Sequence, residues 1–342
     1  METGGIMTTQ TLGVEKSRER IKTRINMGMG MGIFLLPLIW MDTTTYFTLT
    51  VAGISLGMLI FLIASGLTLI FGLMDVLNLA HAAFFAFGAY AGAAVLNGFD
   101  SLGWISTASL PESLLYLVSA LLAAGLTGAV LGIATETLVI RKVYGDHLMQ
   151  LLVTVGVSFV IVEILKIVWG VNNEVVPVPM GFQDSFILWG VFIEYFRVVA
   201  IVLGIGVFAG LQFVLKKTKI GIIVRAGVEN REIVKTTGYN ISRIFTLIFA
   251  AGAALAATGG IMMAVFNQAV DPGMGDQFLI FALIVVIIGG MGSVTGSFIG
   301  AVMVGLSFNY VAYLIPKMAL GVNFMIMAVI LLIRPKGLFG KE

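Results

Sequence analysis

Apolar residues in this chain come in long runs separated by short polar stretches. Ten runs can be marked, approximately over 27–41, 51–71, 82–97, 114–139, 148–170, 186–215, 244–266, 278–290, 296–315 and 318–333. A helix that crosses the hydrocarbon core of a bilayer needs about 20 apolar residues, so most of these runs predict membrane spans. Two are weak: 278–290 is short, and 82–97 is short and rich in Ala and Gly, so each predicts either a full span or a half-helix that re-enters. The expected fold is an all-α polytopic membrane protein with 8–10 transmembrane helices, some discontinuous or re-entrant. Its parts are a polar flank over 1–26, one transmembrane domain over 27–333 that carries a long loop at 216–243, and a tail over 334–342.

Composition agrees with the pattern. Hydrophobic residues make up 59% and charged residues 11% of the chain, with a mean hydropathy of +1.05, where soluble domains carry roughly a quarter charged residues. The absence of cysteine excludes a disulfide scaffold, thiolate zinc and iron–sulfur clusters, and two histidines, His81 and His147, leave little for a metal site. No cofactor, covalent chemistry or nucleic-acid partner is expected. There is no G-x-x-x-x-G-K-[ST] motif, and the loop 216–243 is too short for a nucleotide-binding fold. Energy for any work must come from a partner or a gradient.

Charge placement sets the expected orientation. With the N-terminus inside, 17 of the 20 Lys and Arg fall on inside stretches: Lys16 to Arg24, Arg141 and Lys142, the seven between Lys216 and Arg243, and Arg334, Lys336 and Lys341. The outside loops carry Asp42, Asp100, Glu112, Glu174, Asp184, Asp271 and Asp276 against Lys317. That asymmetry predicts a cytoplasmic N-terminus. No Ala-x-Ala-like site follows Trp40, so 27–41 reads as a retained span and not as a signal peptide. The many glycines inside apolar runs, such as Gly125, Gly128 and Gly132, read first as places where helix backbones pack closely.

Three segments carry more specific information. In the first, Gly66 to Tyr90, an apolar helix stops near Gly72, a polar turn presents Asp75, Asn78 and His81, and a second apolar run follows at once. Spaced three apart, these residues share a face if the turn is helical. A helix break lining a substrate path is one reading. The other is a cytoplasmic turn in which Asn78 caps the next helix and His81 sits at the interface. The second segment, Phe281 to Ala301, holds Gly289, Gly290, Gly292 and Ser293 between two apolar runs, which again describes either an interrupted helix pair along the path or tight turn packing. The third is the loop 216–243, where Ile222, Val224 and Val228 precede Ile233, Val234, Gly238 and Tyr239 among basic residues. That pattern predicts a short amphipathic helix ended by Gly238 and suited to docking a soluble protein.

The blocks GLTLIFGLMDVLNLAHAAFFAFGAY, RAGVENREIVKTTGYNISRI, VVIIGGMGSVTGSFIGA and RPKGLFG, in that order, resemble the permease subunits of branched-chain amino acid ABC transporters, the H-type member of the pair, which are related to urea and amide permeases. The stretch Glu136 to Gly156 fits as well, and the resemblance runs from about Val51 to Gly340. It implies a multi-pass subunit of a bacterial or archaeal cytoplasmic (inner) membrane that forms the path for a small organic solute, foremost an aliphatic amino acid. The implied partners are a second homologous permease, two cytoplasmic ABC ATPases that hydrolyse ATP, and a periplasmic or extracellular solute-binding protein. ABC importers carry a coupling helix with Glu-Ala-Ala and a Gly six residues after the Glu. Here Glu232 and Gly238 keep that spacing while Ile233 and Val234 replace the alanines, and Arg225 and Glu229 precede them on the same loop.

Charged pairs inside apolar runs, Glu163 with Lys166 and Glu194 with Arg197, read as intrahelical ion pairs or as a residue meeting a zwitterionic solute. Glu136 reads as a partner of Arg141 or Lys142. Competing functions are urea, amide or aromatic-acid transport within the same family, a passive channel suggested by Asn78-Leu-Ala at a helix break, and an ion-coupled secondary transporter.

Overall fold

The computed structural model describes residues 36–39, 41–188, 190–219, 221–223, 226 and 240–340. Among the described residues, nine helices of fifteen residues or more follow one another: α1 (Thr43–Met74), α2 (His81–Ser101), α3 (Leu110–Leu138), α4 (His147–Trp169), α5 (Tyr195–Lys217), α6 (Ile241–Asn267), α7 (Met274–Gly289), α8 (Val294–Leu314) and α9 (Ala319–Ile333). Eight candidate spans are long and apolar enough to cross a membrane, and α7, at 16 residues, is a shorter apolar helix. The chain is an all-α multi-pass membrane protein. The run 82–97 is a full helix and not a half-helix. The run 186–215 is no single span: its first part forms a hairpin, β2 (Ser185–Leu188) against β3 (Val191–Glu194), before α5 begins. Gly190, at φ +80°, lets the chain reverse between these strands of branched and aromatic residues. Of the first apolar run, 27–41, residues 27–35 and 40 lie outside the described residues.

The chain is divided into two units, Met1–Phe47 and Thr48–Glu342. In the first, Leu36–Ile39 form a 3-10 turn, and Asp42 accepts the Thr45 backbone N–H at 3.0 Å to cap the start of α1. Hydrogen bonds from the Thr45 hydroxyl and backbone hold the Asp42 carboxyl below the usual carboxylate range.

In the second unit, small residues let α2, α3 and α6 come close. A β-carbon at Gly88 or Gly128 would overlap Ala257, one at Gly132 would overlap Ala253, and one at Gly260 would strike the Phe85 carbonyl. α1 packs on α8 in the same way, Gly53 and Gly57 meeting Ala301 and Leu306. Hydroxyls join the helices as well: Thr50 with Tyr310 at 2.7 Å and Thr68 with Ser297 at 2.6 Å between α1 and α8, and Ser307 with Asn323 at 2.7 Å between α8 and α9. Burial separates the helices into two classes. The most apolar window of α1 is 89% buried, whereas those of α4 and α5 are 17% and 11% buried. α4 and α5 therefore turn apolar faces outward, the arrangement expected of helices that meet lipid or another membrane chain.

Successive helices alternate in direction. The end of the unit where α1 finishes, here called proximal, also carries the connections α3–α4, α5–α6 and α7–α8 and the exit of α9; Gln212 Nε2 on Thr295 Oγ1 at 2.6 Å and Arg141 on Thr246 at 2.9 Å tie these ends together. The distal end carries the other connections, including β1 (Glu174–Val175) paired antiparallel with β4 (Ala269–Val270). Helix starts at the proximal end are mostly capped: Asp146 accepts from Met149 N–H, Asn240 from Arg243 N–H and Ser293 from Gly296 N–H. The start of α2 is the exception.

Candidate functional site

Between α1 and α2 the backbone leaves the helical ladder for six residues. Asp75 adopts φ +54°, a left-handed conformation that Asp tolerates better than most residues, and residues 75–78 run without regular structure. The chain does not simply turn at the surface. His81 Nε2 lies 2.9 Å from the carbonyl of Ile63, which sits eleven residues, or about 16 Å, before the end of α1. The segment thus climbs back into the bundle before α2 starts.

Backbone amides in such a segment need partners at that depth, and α4 supplies them. Leu77 N–H donates to Gln150 Oε1 at 3.4 Å, Leu79 N–H donates to Thr154 Oγ1 at 3.2 Å, and His147 Nε2 lies 3.5 Å from Asp75 Oδ2. Positions 147, 150 and 154 share one helix face over about 10 Å, so α4 meets the segment along a single side. Gln150 and Thr154 are buried. The sequence reading passed them over, although two polar residues four apart on one face of an apolar helix were the available signal.

The three residues expected to share a face do not. Asp75 is exposed, while Asn78 and His81 are fully buried. Asn78 Oδ1 accepts the Ala80 N–H at 3.1 Å, so Asn78 does tie down the approach to α2, but Ala80 is the capping residue and His81 is fully buried. The polar Nδ2 of Asn78 and Nδ1 of His81 have no partner among the described residues.

The second break, between α7 and α8, takes another form. Gly290 (φ +97°) and Gly292 (φ +82°) make a four-residue turn, and Ser293 caps α8. A β-carbon at Gly72 would strike the backbone of Gly292, so the two breaks touch at the proximal end. A third stretch joins them. Leu338 and Phe339 N–H groups donate to the carbonyls of Ile288 and Gly289, each at 2.9 Å, and Gly337 and Gly340 pack on Gly290. The tail RPKGLFG thereby satisfies carbonyls that the end of a short helix leaves open. Gly289, Gly290, Gly292 and Ser293 are brought together here, next to Gly72, whereas Asn78 and His81 lie deeper.

Glu136 is fully buried and accepts from Arg141 at 3.0 Å, Tyr144 at 2.8 Å and Thr246 at 2.7 Å, joining the end of α3 to α6. Its expected pairing with Arg141 is present, as are the pairs Glu163–Lys166 at 2.7 Å and Glu194–Arg197 at 3.1 Å. Arg225, Glu229, Glu232 and Gly238 lie outside the described residues. Among the described residues no group of three His, Cys, Asp or Glu is placed to hold a metal ion.

Comparison with known proteins places this architecture. The chain is 25% identical over 302 residues to the high-affinity branched-chain amino acid transport system permease protein BraD of Pseudomonas aeruginosa, covering 86% of this chain and 96% of that protein. It is 25% identical over 306 residues to LivH of Escherichia coli K12, covering 84% and 94%. It is 27% identical over 307 residues to a probable branched-chain amino acid transport permease protein LivH of Methanocaldococcus jannaschii, covering 83% and 89%. No solved structure matches. The model of the branched-chain amino acid transport system / permease component family matches residues 49–333, α1 to α9, and the chain belongs to that family.

Proposed function

We propose that this chain is the membrane-path subunit of an ABC importer for branched-chain amino acids, working by alternating access while separate subunits hydrolyse ATP. One observation carries the reading: similarity to named permeases over more than four-fifths of the chain, on a bundle whose α1–α2 connection is unwound inside the protein. The unwound segment with Asn78 and His81 lines the path, and the turn Gly289–Ser293 closes it at the proximal end. A second homologous permease covers the outward apolar faces, and a solute-binding protein delivers from the distal side.

Charge supports the proximal end as the cytoplasmic one. Among the described residues it carries Arg141, Lys142, Lys216, Lys217, Lys219, Arg243, Arg334 and Lys336, against Asp75, Glu136 and Asp146. The ATPases then dock on the loop 216–243, with Glu232 and Gly238 in the coupling position and Arg225 and Glu229 beside them, in a cytoplasmic (inner) membrane.

Proteoliposomes containing the complete complex test this. Uptake of labelled leucine that needs both ATP and the binding protein is expected. Uptake by the permease alone would overturn the reading in favour of a channel or secondary transporter, and uptake of urea in place of leucine would move the solute class. Glu232→Lys and Gly238→Val are expected to lower uptake per ATP hydrolysed at least tenfold without loss of membrane-inserted protein. Unchanged coupling in both variants would remove the loop from the mechanism.

A further inference from the structure

Three features combine at the start of α2. Its capping residue, Ala80, offers no side-chain acceptor, and the first helical bond runs from Phe84 N–H to the Ala80 carbonyl, so the amides of His81, Ala82 and Ala83 precede the ladder. The amide of Asn78 is folded over this start by its bond to Ala80 N–H, which sets Nδ2 beside the helix end as a donor with no partner. His81 points Nε2 at the Ile63 carbonyl. Because a carbonyl only accepts, Nε2 carries the hydrogen and Nδ1 is left with a lone pair, also without a partner. Both residues are at most 1% exposed. Orphaned polar atoms at this depth are costly unless something meets them.

The chemistry of the set is directional. The helix N-terminus is the positive end of a dipole, and with Asn78 Nδ2 it suits an anion. His81 Nδ1 suits a hydrogen-bond donor. A carboxylate and an ammonium on one carbon supply both, whereas urea or an amide supplies no anion. The start of α7 abuts the same turn, Gly275 lying against the Ala82 carbonyl, and several N–H groups there are already engaged: Gly273 with the Asp271 carboxylate at 2.9 Å, Met274 with the Asp271 carbonyl at 3.2 Å and Asp276 with the Gly273 carbonyl at 3.2 Å. α2 is thus the more open terminus of the two.

Building on the transport reading above, we propose that the start of α2 holds the headgroup of an α-amino acid in transit, its carboxylate on Asn78 Nδ2 and the first amides of α2 and its ammonium on His81 Nδ1. The site is sealed in this conformation, and loading requires α2 and α7 to part.

Asn78→Asp separates this role from a structural one. Aspartate keeps the acceptor for Ala80 N–H and places a negative charge where the helix dipole favours it, so a residue that only ties down the turn would leave transport unchanged. A solute carboxylate would instead meet a second carboxylate and lose its donor. In the assembled complex with saturating leucine-loaded binding protein, the maximal uptake rate is expected to fall at least tenfold. Asn78→Ser retains an acceptor for Ala80 and removes the donor; it is expected to show the same loss and serves if the aspartate variant does not assemble. Normal maximal uptake by either assembled variant overturns the proposal. Failure of the unmodified complex to take up any amino acid would instead overturn the transport reading.

Discussion

The two helix breaks look alike in sequence, each a few Gly or polar residues between apolar runs, yet they are built in opposite ways. Between α7 and α8 the chain reverses in four residues, two of them glycines at positive φ, and the problem is steric: room for backbone against Gly72 and the tail. Between α1 and α2 the chain runs without regular structure and climbs back along α4, and the problem is hydrogen bonding: amides that buried side chains satisfy. The first solution makes a close-packed joint. The second leaves polar atoms at depth, which is where a solute path can be made.

The difference can be tested by breaking each joint in its own currency. The largest effect is expected from Gly292→Val, which forces a β-branched residue to φ +82° and into the Gly72 backbone. A loss of about 3 kcal/mol or more is expected, read as absence of a folded, monodisperse protein in detergent. Next comes the pair Gln150→Leu with Thr154→Val, which leaves the Leu77 and Leu79 amides without acceptors and introduces no clash. A loss of about 2–5 kcal/mol is expected, seen as a lowered melting temperature together with faster amide exchange confined to residues 75–80. Protection unchanged at Leu77 and Leu79 would mean that α4 does not hold the segment. The smallest effect is expected from Asp75→Asn, because the pair with His147 is more than half exposed at both ends. A change within about 0.5 kcal/mol is expected, and a larger drop in melting temperature would give that pair a weight the geometry does not.

Much of the fold was legible because it rests on local signals. Apolar length located the helices, and the order of four sequence blocks identified the family. The misreadings have physical causes. The run 186–215 looked like one span because hairpin residues such as Phe186, Ile187 and Phe192 are as apolar as helix residues, and period alone does not separate short apolar strands from helices. Asp75, Asn78 and His81 share a face only if the turn is helical, and the backbone leaves the helix at Asp75, at φ +54°, so the helical period does not carry across the segment. The docking of Leu338 and Phe339 on α7 is a long-range backbone contact, and backbone contacts leave little mark on side-chain pattern. Gly337 and Gly340 were its only trace.

That tail contact also bears on the order in which the protein can be made. The groups that close the end of α7 lie about 50 residues further along the chain, beyond α8 and α9. Emerging from the ribosome N-terminus first, α7 enters the bilayer with open carbonyls and cannot reach its final state until two more helices have been inserted and the chain has doubled back. The last three helices are thus tied by a backbone latch, so that a truncation after α9 would leave the end of α7, beside the joint at Gly72, with open carbonyls.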